Sequence, residues 1–143
     1  MAKASARAVI DGSAEAVWKV AGEFGGIAGW HPAITTSDLE PEKAGDTAGS
    51  IRVCALENGA NLREEQVARS DAERYYSYNF LEAPIPVENY LGNIRVFEEG
   101  TGRARVEWTS TFDCAAEAET EMVDMFAGIY QAGLDALKGR FGA

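Results

Sequence analysis

The stretch Glu117–Leu137 limits what this chain can fold into more than any other. Met122, Met125, Phe126, Ile129, Tyr130, Gly133, Leu134 and Leu137 recur at spacings of three and four, which puts them on one stripe of a long helix. Glu117, Glu119 and Glu121 crowd its first turns, where carboxylates suit the positive end of the helix dipole. Lys138 and Arg140 suit the other end, and Gly139 reads as the stop. Nearly everything before this helix reads as strand. A long apolar helix and a large sheet must cover each other, and the question is whether the space between them is filled or hollow.

The chain in order gives strand, two short helices, six strands, long helix. Ala4–Asp11 alternates and ends in Asp-Gly, a first strand. Ser13 caps a short helix over Ala14–Gly22. Phe24–Pro32 carries glycines but no Gly-Lys-Ser/Thr, and a helix rather than a strand precedes it. It is therefore a tight corner ending in a second short helix stopped by Pro32, not a phosphate loop. Strands follow at Thr35–Glu40 and Ser50–Leu56, with a Pro/Gly/Asp turn region between them through Gly49. The Asn58-Gly59 pair makes a hairpin to Asn61–Arg69, and Arg74–Leu81 is a Tyr-rich strand. Pro84 and Pro86 stiffen a loop over Glu82–Asn89, before a last hairpin of Tyr90–Phe97 and Arg103–Asp113.

Strand faces repeat every two residues, which assigns an inner face. Val106, Trp108, Ser110 and Phe112 face the helix, as do Tyr90, Gly92, Ile94 and Val96, and Tyr76, Tyr78 and Phe80. In Asn61–Arg69, Leu62 and Ala68 take Glu64 and Gln66 inward, and the hairpin sets Arg52 roughly opposite Glu64. Two readings of that pair stay open: an inward ion pair, or a frayed edge with both charges in water. Three tyrosines, a tryptophan, a serine and a candidate ion pair are unlike an ordinary core, because buried hydroxyls and carboxylates must be hydrogen-bonded. Gly92 and Gly133 add no bulk, so the expectation is a wet cavity between sheet and helix.

A chain of 143 residues forms one domain with a real core, and the whole chain reads as that domain. The net charge of −10 repels phosphate, which argues against nucleic acid or an anionic membrane as partner. No stretch is long and apolar enough to span a bilayer, and the start MAKASARAVID lacks a signal-peptide core. Cys54 and Cys114 show neither metal spacing nor a disulfide framework, and a reduced, cytoplasmic setting is expected. With one histidine, no metal is expected.

On these residues the chain resembles the birch-pollen-allergen and START-like superfamily. Within it, the chain looks like the bacterial polyketide cyclase/dehydrase-type branch, the SRPBCC proteins. The resembling segments are Ala14–Lys19, Phe24–Ile34, Pro84–Tyr90, Val106–Asp113 and the end of the long helix. The resemblance implies an α+β helix-grip fold: a seven-stranded antiparallel sheet wrapped around a long C-terminal helix, two short helices between strands 1 and 2, and an internal cavity. It implies a hydrophobic small-molecule ligand or substrate, no cofactor, and a monomer or homodimer. Some members catalyse aldol-type cyclisation or dehydration. The cavity mouth would be ringed by Glu57–Ala60, Pro84–Asn89 and the Trp30–His31 corner. Plant abscisic-acid receptors are more distant relatives. Their gate has no counterpart, since the hairpin reads Glu57-Asn58-Gly59-Ala60.

His31 is the one side chain whose ordinary pKa lies near neutrality, so it is a candidate acid/base; its competing role is a helix-end histidine bonded to backbone. Glu64 is the rival base, and Tyr78 a donor to an enolate oxygen. Trp30, Arg52, Tyr76, Asn89, Tyr90, Trp108, Ser110, Phe126 and Tyr130 are the candidate ligand contacts. Three function classes follow: a cofactor-free cyclase/dehydratase of lyase type, a carrier or sensor, and a subunit docking a partner through exposed Ile85 and Val87. Replacing Trp108 by Ala is expected to enlarge the pocket more than it harms the fold.

Overall fold

The computed structural model describes residues 1–40 and 47–141. Seven antiparallel strands form one sheet in the order β1-β7-β6-β5-β4-β3-β2. They are β1 (Ala2–Ile10), β2 (Ile34–Leu39), β3 (Ile51–Leu56), β4 (Asn61–Ser70), β5 (Tyr75–Glu82), β6 (Glu88–Glu98) and β7 (Ala104–Asp113). Helix α1 (Ala14–Ala21) and a 3-10 helix (Phe24–Gly29) span the gap between β1 and β2, and α2 (Glu119–Phe141) closes the chain. This is the helix-grip fold read from the sequence. Part of the expected turn region after Glu40 lies outside the described residues.

Local chemistry explains the elements. Ser13 Oγ accepts the Ala16 N–H at 3.1 Å and starts α1, which buries Val17, Trp18 and Ala21. The Asn-Gly hairpin turns with Gly59 at φ +89°, a conformation open to glycine. The alternation in β7 holds throughout: Val106, Trp108, Ser110 and Phe112 are all buried. Gly139 does not stop α2. The helix continues to Phe141, whose ring packs beside Gly12.

The two inner glycines do not leave open space. A Cβ on Gly92 would stand 2.4 Å from the Tyr78 ring, its cross-strand partner. A Cβ on Gly133 would stand 2.5 Å from His31 Cδ2 and 3.1 Å from Trp108. Absent side chains are filled by neighbouring rings, which corrects the expectation that these positions are hollow. Ile85 and Val87 are half-buried against the core rather than exposed, because the Pro-stiffened loop folds inward; the partner-docking handle is lost.

Gly133→Ala should therefore destabilise the protein. Helix propensity alone would gain about 1 kcal/mol, but overpacking against His31 costs about 1–3 kcal/mol. Gly128→Ala, on the same helix with open space around it, should stabilise by roughly 0.5–1 kcal/mol. Urea unfolding of the two variants checks the contrast, and a stabilised Gly133→Ala would show that His31 yields freely.

Candidate functional site: the cavity between sheet and helix

A cavity of about 210 Å³ lies between α2 and the inner face of the sheet. Its walls are mostly aliphatic and aromatic, with Ile27, Leu62, Phe80, Phe126 and Ile129 among them. Seven of the residues expected from the sequence line it: Arg52, Glu64, Tyr78, Tyr90, Trp108, Phe126 and Tyr130. Its rim includes Glu57 and Asn58 of the β3–β4 hairpin, Ile85 of the Pro loop, and Ala33 and Ile34 in place of Trp30 and His31.

The inward ion pair is the reading that holds. Arg52 on β3 and Glu64 on β4 are direct cross-strand partners, so the hairpin register brings them together. Arg52 Nε donates to Glu64 Oε1 at 2.7 Å, and both side chains are almost wholly buried. Arg52 Nη1 also donates to the Phe24 carbonyl at 2.9 Å and to Tyr76 Oη at 3.1 Å. The guanidinium lies 4.1 Å from the Phe24 ring centre and 5.0 Å from that of Tyr78. A buried charge demands this many partners, and arginine keeps its proton there. The neighbouring Cys54 thiol is pushed by burial up to about 12, so it stays a neutral thiol.

The second polar feature is a chain of hydroxyls. Trp108 Nε1–H donates to Tyr78 Oη at 3.0 Å, Tyr78 and Tyr90 hydroxyls meet at 3.1 Å, and Tyr90 bonds Tyr130. Burial raises the pKa of all three tyrosines, so they act as O–H donors. Three hydroxyls carry three protons, and the two links between them use two. The third O–H lies outside these two links, and where it belongs to Tyr130 the Ser110 hydroxyl is within its reach. Trp108 also stacks on Tyr130 at 4.6 Å and packs near Trp30 at 5.9 Å. It is as much a core residue as a wall, so Trp108→Ala would harm the fold more than the sequence suggested.

Five expected site residues lie elsewhere. His31 is buried, but its Nε2–H donates to the Ile129 carbonyl at 2.8 Å and its Nδ1 accepts the Ala33 N–H at 3.1 Å. Both ring nitrogens are committed to backbone, and the ring does not line the cavity. Trp30 packs behind Trp108, and Tyr76 sits behind Arg52, with its ring edge-on to Phe24. Ser110 is buried next to the tyrosine chain, without a hydrogen bond of good geometry. Asn89 is exposed: it adopts φ +54° at the irregular start of β6 and donates to Asp113 Oδ2 at 2.9 Å. Asparagine tolerates that left-handed conformation. Its place is in shaping the strand entry before Tyr90. Cys54, Leu56 and Ile85 line the cavity without having been singled out as contacts, although Cys54 shares a strand face with Arg52, which is a legible signal. Among the described residues, no three His, Cys, Asp or Glu side chains converge as a metal site.

The chain belongs to the family described as polyketide cyclase / dehydrase and lipid transport, whose profile matches residues 1–142. The Bacillus cereus protein XoxI is 36% identical, with a TM-score of 0.90 over 99% of this chain and 96% of that one. A Thermobifida fusca protein is 29% identical, with a TM-score of 0.90 over 99% and 94% of the two chains. The Zhui aromatase/cyclase from Streptomyces sp. R1128 shares the fold at 17% identity, with a TM-score of 0.82 over 96% and 92%. No curated protein sequence matches the chain significantly. No helix among the described residues is long and apolar enough to cross a membrane.

Breaking the ion pair from one side should be costly. Arg52→Leu is expected to destabilise by about 3–5 kcal/mol, and adding Glu64→Leu should recover much of that loss, because a lone buried charge is worse than none. Chemical denaturation of the single and double variants measures it; a double variant weaker than the single would show that the lone Glu64 charge is not the source of the loss. His31 supplies a pH dependence. Burial lowers its pKa below the ordinary 6.5, with Glu57 favouring the proton and Arg52 opposing it. The unfolded chain thus binds the proton more readily, so stability present above pH 6.5 is lost as pH falls from there through the lower folded value. The melting temperature should drop across that window, and His31→Gln, although less stable, should flatten the slope.

Proposed function

We propose that this protein holds a hydrophobic, aromatic or polyketide-like small molecule in the cavity between α2 and the sheet. The observation that carries this reading is a partly open space of about 210 Å³ with aromatic walls, one buried ion pair and a chain of tyrosine hydroxyls. Few, fixed polar groups in an apolar cleft are the usual composition of a small-molecule site. The family description and the aromatase/cyclase neighbour support the same class of ligand.

A second reading adds chemistry. Glu64 takes a proton from the carbon alpha to a carbonyl. A tyrosine O–H of the chain headed by Tyr78 donates to the enolate oxygen. The enolate carbon bonds to a second carbonyl carbon, whose oxygen takes the proton back from Glu64. Glu64 then moves a second alpha proton to that hydroxyl, which leaves as water. That is a cofactor-free cyclisation and dehydration, and it needs an acceptor and a donor in one dry space, both of which line this one. His31 has no part in it, because its nitrogens already serve the backbone. The carrier or sensor alternative uses the same groups only to orient the ligand.

Native mass spectrometry of freshly purified protein, followed by solvent extraction, tests the proposal. A small aromatic molecule bound near one per chain is the expected result, and returning it to fresh protein separates carrier from enzyme by whether it emerges changed. An apo mass, together with no tryptophan fluorescence response to a panel of aromatic and polyketide ligands, would overturn the binding reading.

A further inference from the structure

The polar part of the cavity is more particular than a general hydrophobic site requires. Resting on the reading of the cavity as a ligand site, we propose that its ligand is a compact one- or two-ring aromatic molecule bearing an uncharged head that both accepts and donates a hydrogen bond. A primary carboxamide or a protonated carboxylic acid is the simplest such head, with Arg52 and Glu64 binding it.

Size comes first. An apolar cavity of about 150 Å³ takes one benzene. A cavity of about 210 Å³ has room for a second ring or a substituent, and not for an extended polyketide chain.

Ion-pair geometry comes second, because the protein contains its own comparison. Arg63 on β4 holds Glu40, the residue after β2, with two parallel hydrogen bonds, Nε to Oε2 at 2.7 Å and Nη2 to Oε1 at 2.9 Å. That fork uses both carboxylate oxygens. In the cavity wall, Arg52 holds Glu64 with one bond, Nε to Oε1, and spends Nη1 on Phe24 and Tyr76. Among the described residues, Arg52 Nη2 and Glu64 Oε2 make no hydrogen bond, and both residues border the cavity. The ion pair thus keeps one donor and one acceptor in reserve on residues that line the cavity, the complement of a carboxamide, whose carbonyl would accept from Nη2–H and whose N–H would donate to Oε2.

Charge selects within that class. Arg52 and Glu64 already cancel, the Cys54 thiol is neutral, and Glu57 stands at the rim. A carboxylate would find one donor but would press a second anion against Glu64 with little water between them. The neutral head satisfies both free atoms without adding charge.

The test uses three matched probes on the intact protein: naphthalene-2-carboxamide, naphthalene-2-carboxylate and 2-methylnaphthalene, titrated by tryptophan fluorescence at pH 7.5. The carboxamide should bind at least about tenfold more tightly than either of the others, roughly the worth of one good buried hydrogen-bonded head. Lowering the pH to 6.5 should tighten the carboxylate about tenfold, since it enters with a proton, and leave the carboxamide unchanged. Glu64→Gln should reverse the preference, because Arg52 then stands as a lone cation. If that variant fails to fold, the wild-type comparison decides alone. A carboxylate that matches the carboxamide at pH 7.5, or a carboxamide no better than 2-methylnaphthalene, overturns the head-group inference and leaves the cavity reading standing. Binding of a three- or four-ring aromatic ketone but of none of these probes overturns the compact size. No binding by any of them overturns the cavity reading itself.

Discussion

Arg52 is a full positive charge removed from water, and much of the fold is arranged around that fact. The 3-10 helix supplies the Phe24 carbonyl and the Phe24 ring, β4 supplies Glu64, and β5 supplies the Tyr76 hydroxyl and the Tyr78 face. Each comes from a different element, so satisfying one guanidinium ties the corner after α1 to three neighbouring strands. Such a group cannot be left half-bonded in a low-dielectric interior, which makes its surroundings specific rather than merely apolar.

The aromatic cluster answers a second demand, that buried hydroxyls find partners. Tyr78, Tyr90 and Tyr130 bond one another, and Trp108 spends its N–H on the same chain. The rings fill the space that small residues leave, Tyr78 over Gly92 and His31 against Gly133. The space between helix and sheet is therefore partly filled and partly hollow. Aromatic rings and His31 fill part of it, and the remaining void is bordered by the ion pair, the tyrosines and aliphatic side chains.

His31 illustrates why residue type alone misleads about chemistry. It is the chain's one group with an ordinary pKa near neutrality, yet one nitrogen closes the corner through Ala33 and the other reaches a carbonyl in the middle of α2. That reach is open because Gly133 has no side chain. The histidine acts as a clamp between corner and helix.

The sequence by itself determined the element order, the inner faces of β5, β6 and β7, and the opposition of Arg52 and Glu64. These follow from local rules: a period of two in strands, of three to four in helices, and an Asn-Gly turn that fixes register. The tertiary structure alone decided that Trp30, His31, Tyr76 and Ser110 lie behind the cavity wall, that Asn89 shapes a strand entry, and that Gly92 and Gly133 are contact points rather than gaps. A face assignment says which way a side chain leaves the backbone. It does not say how deep along the strand the void begins or how closely the helix approaches, and those depend on how distant segments pack.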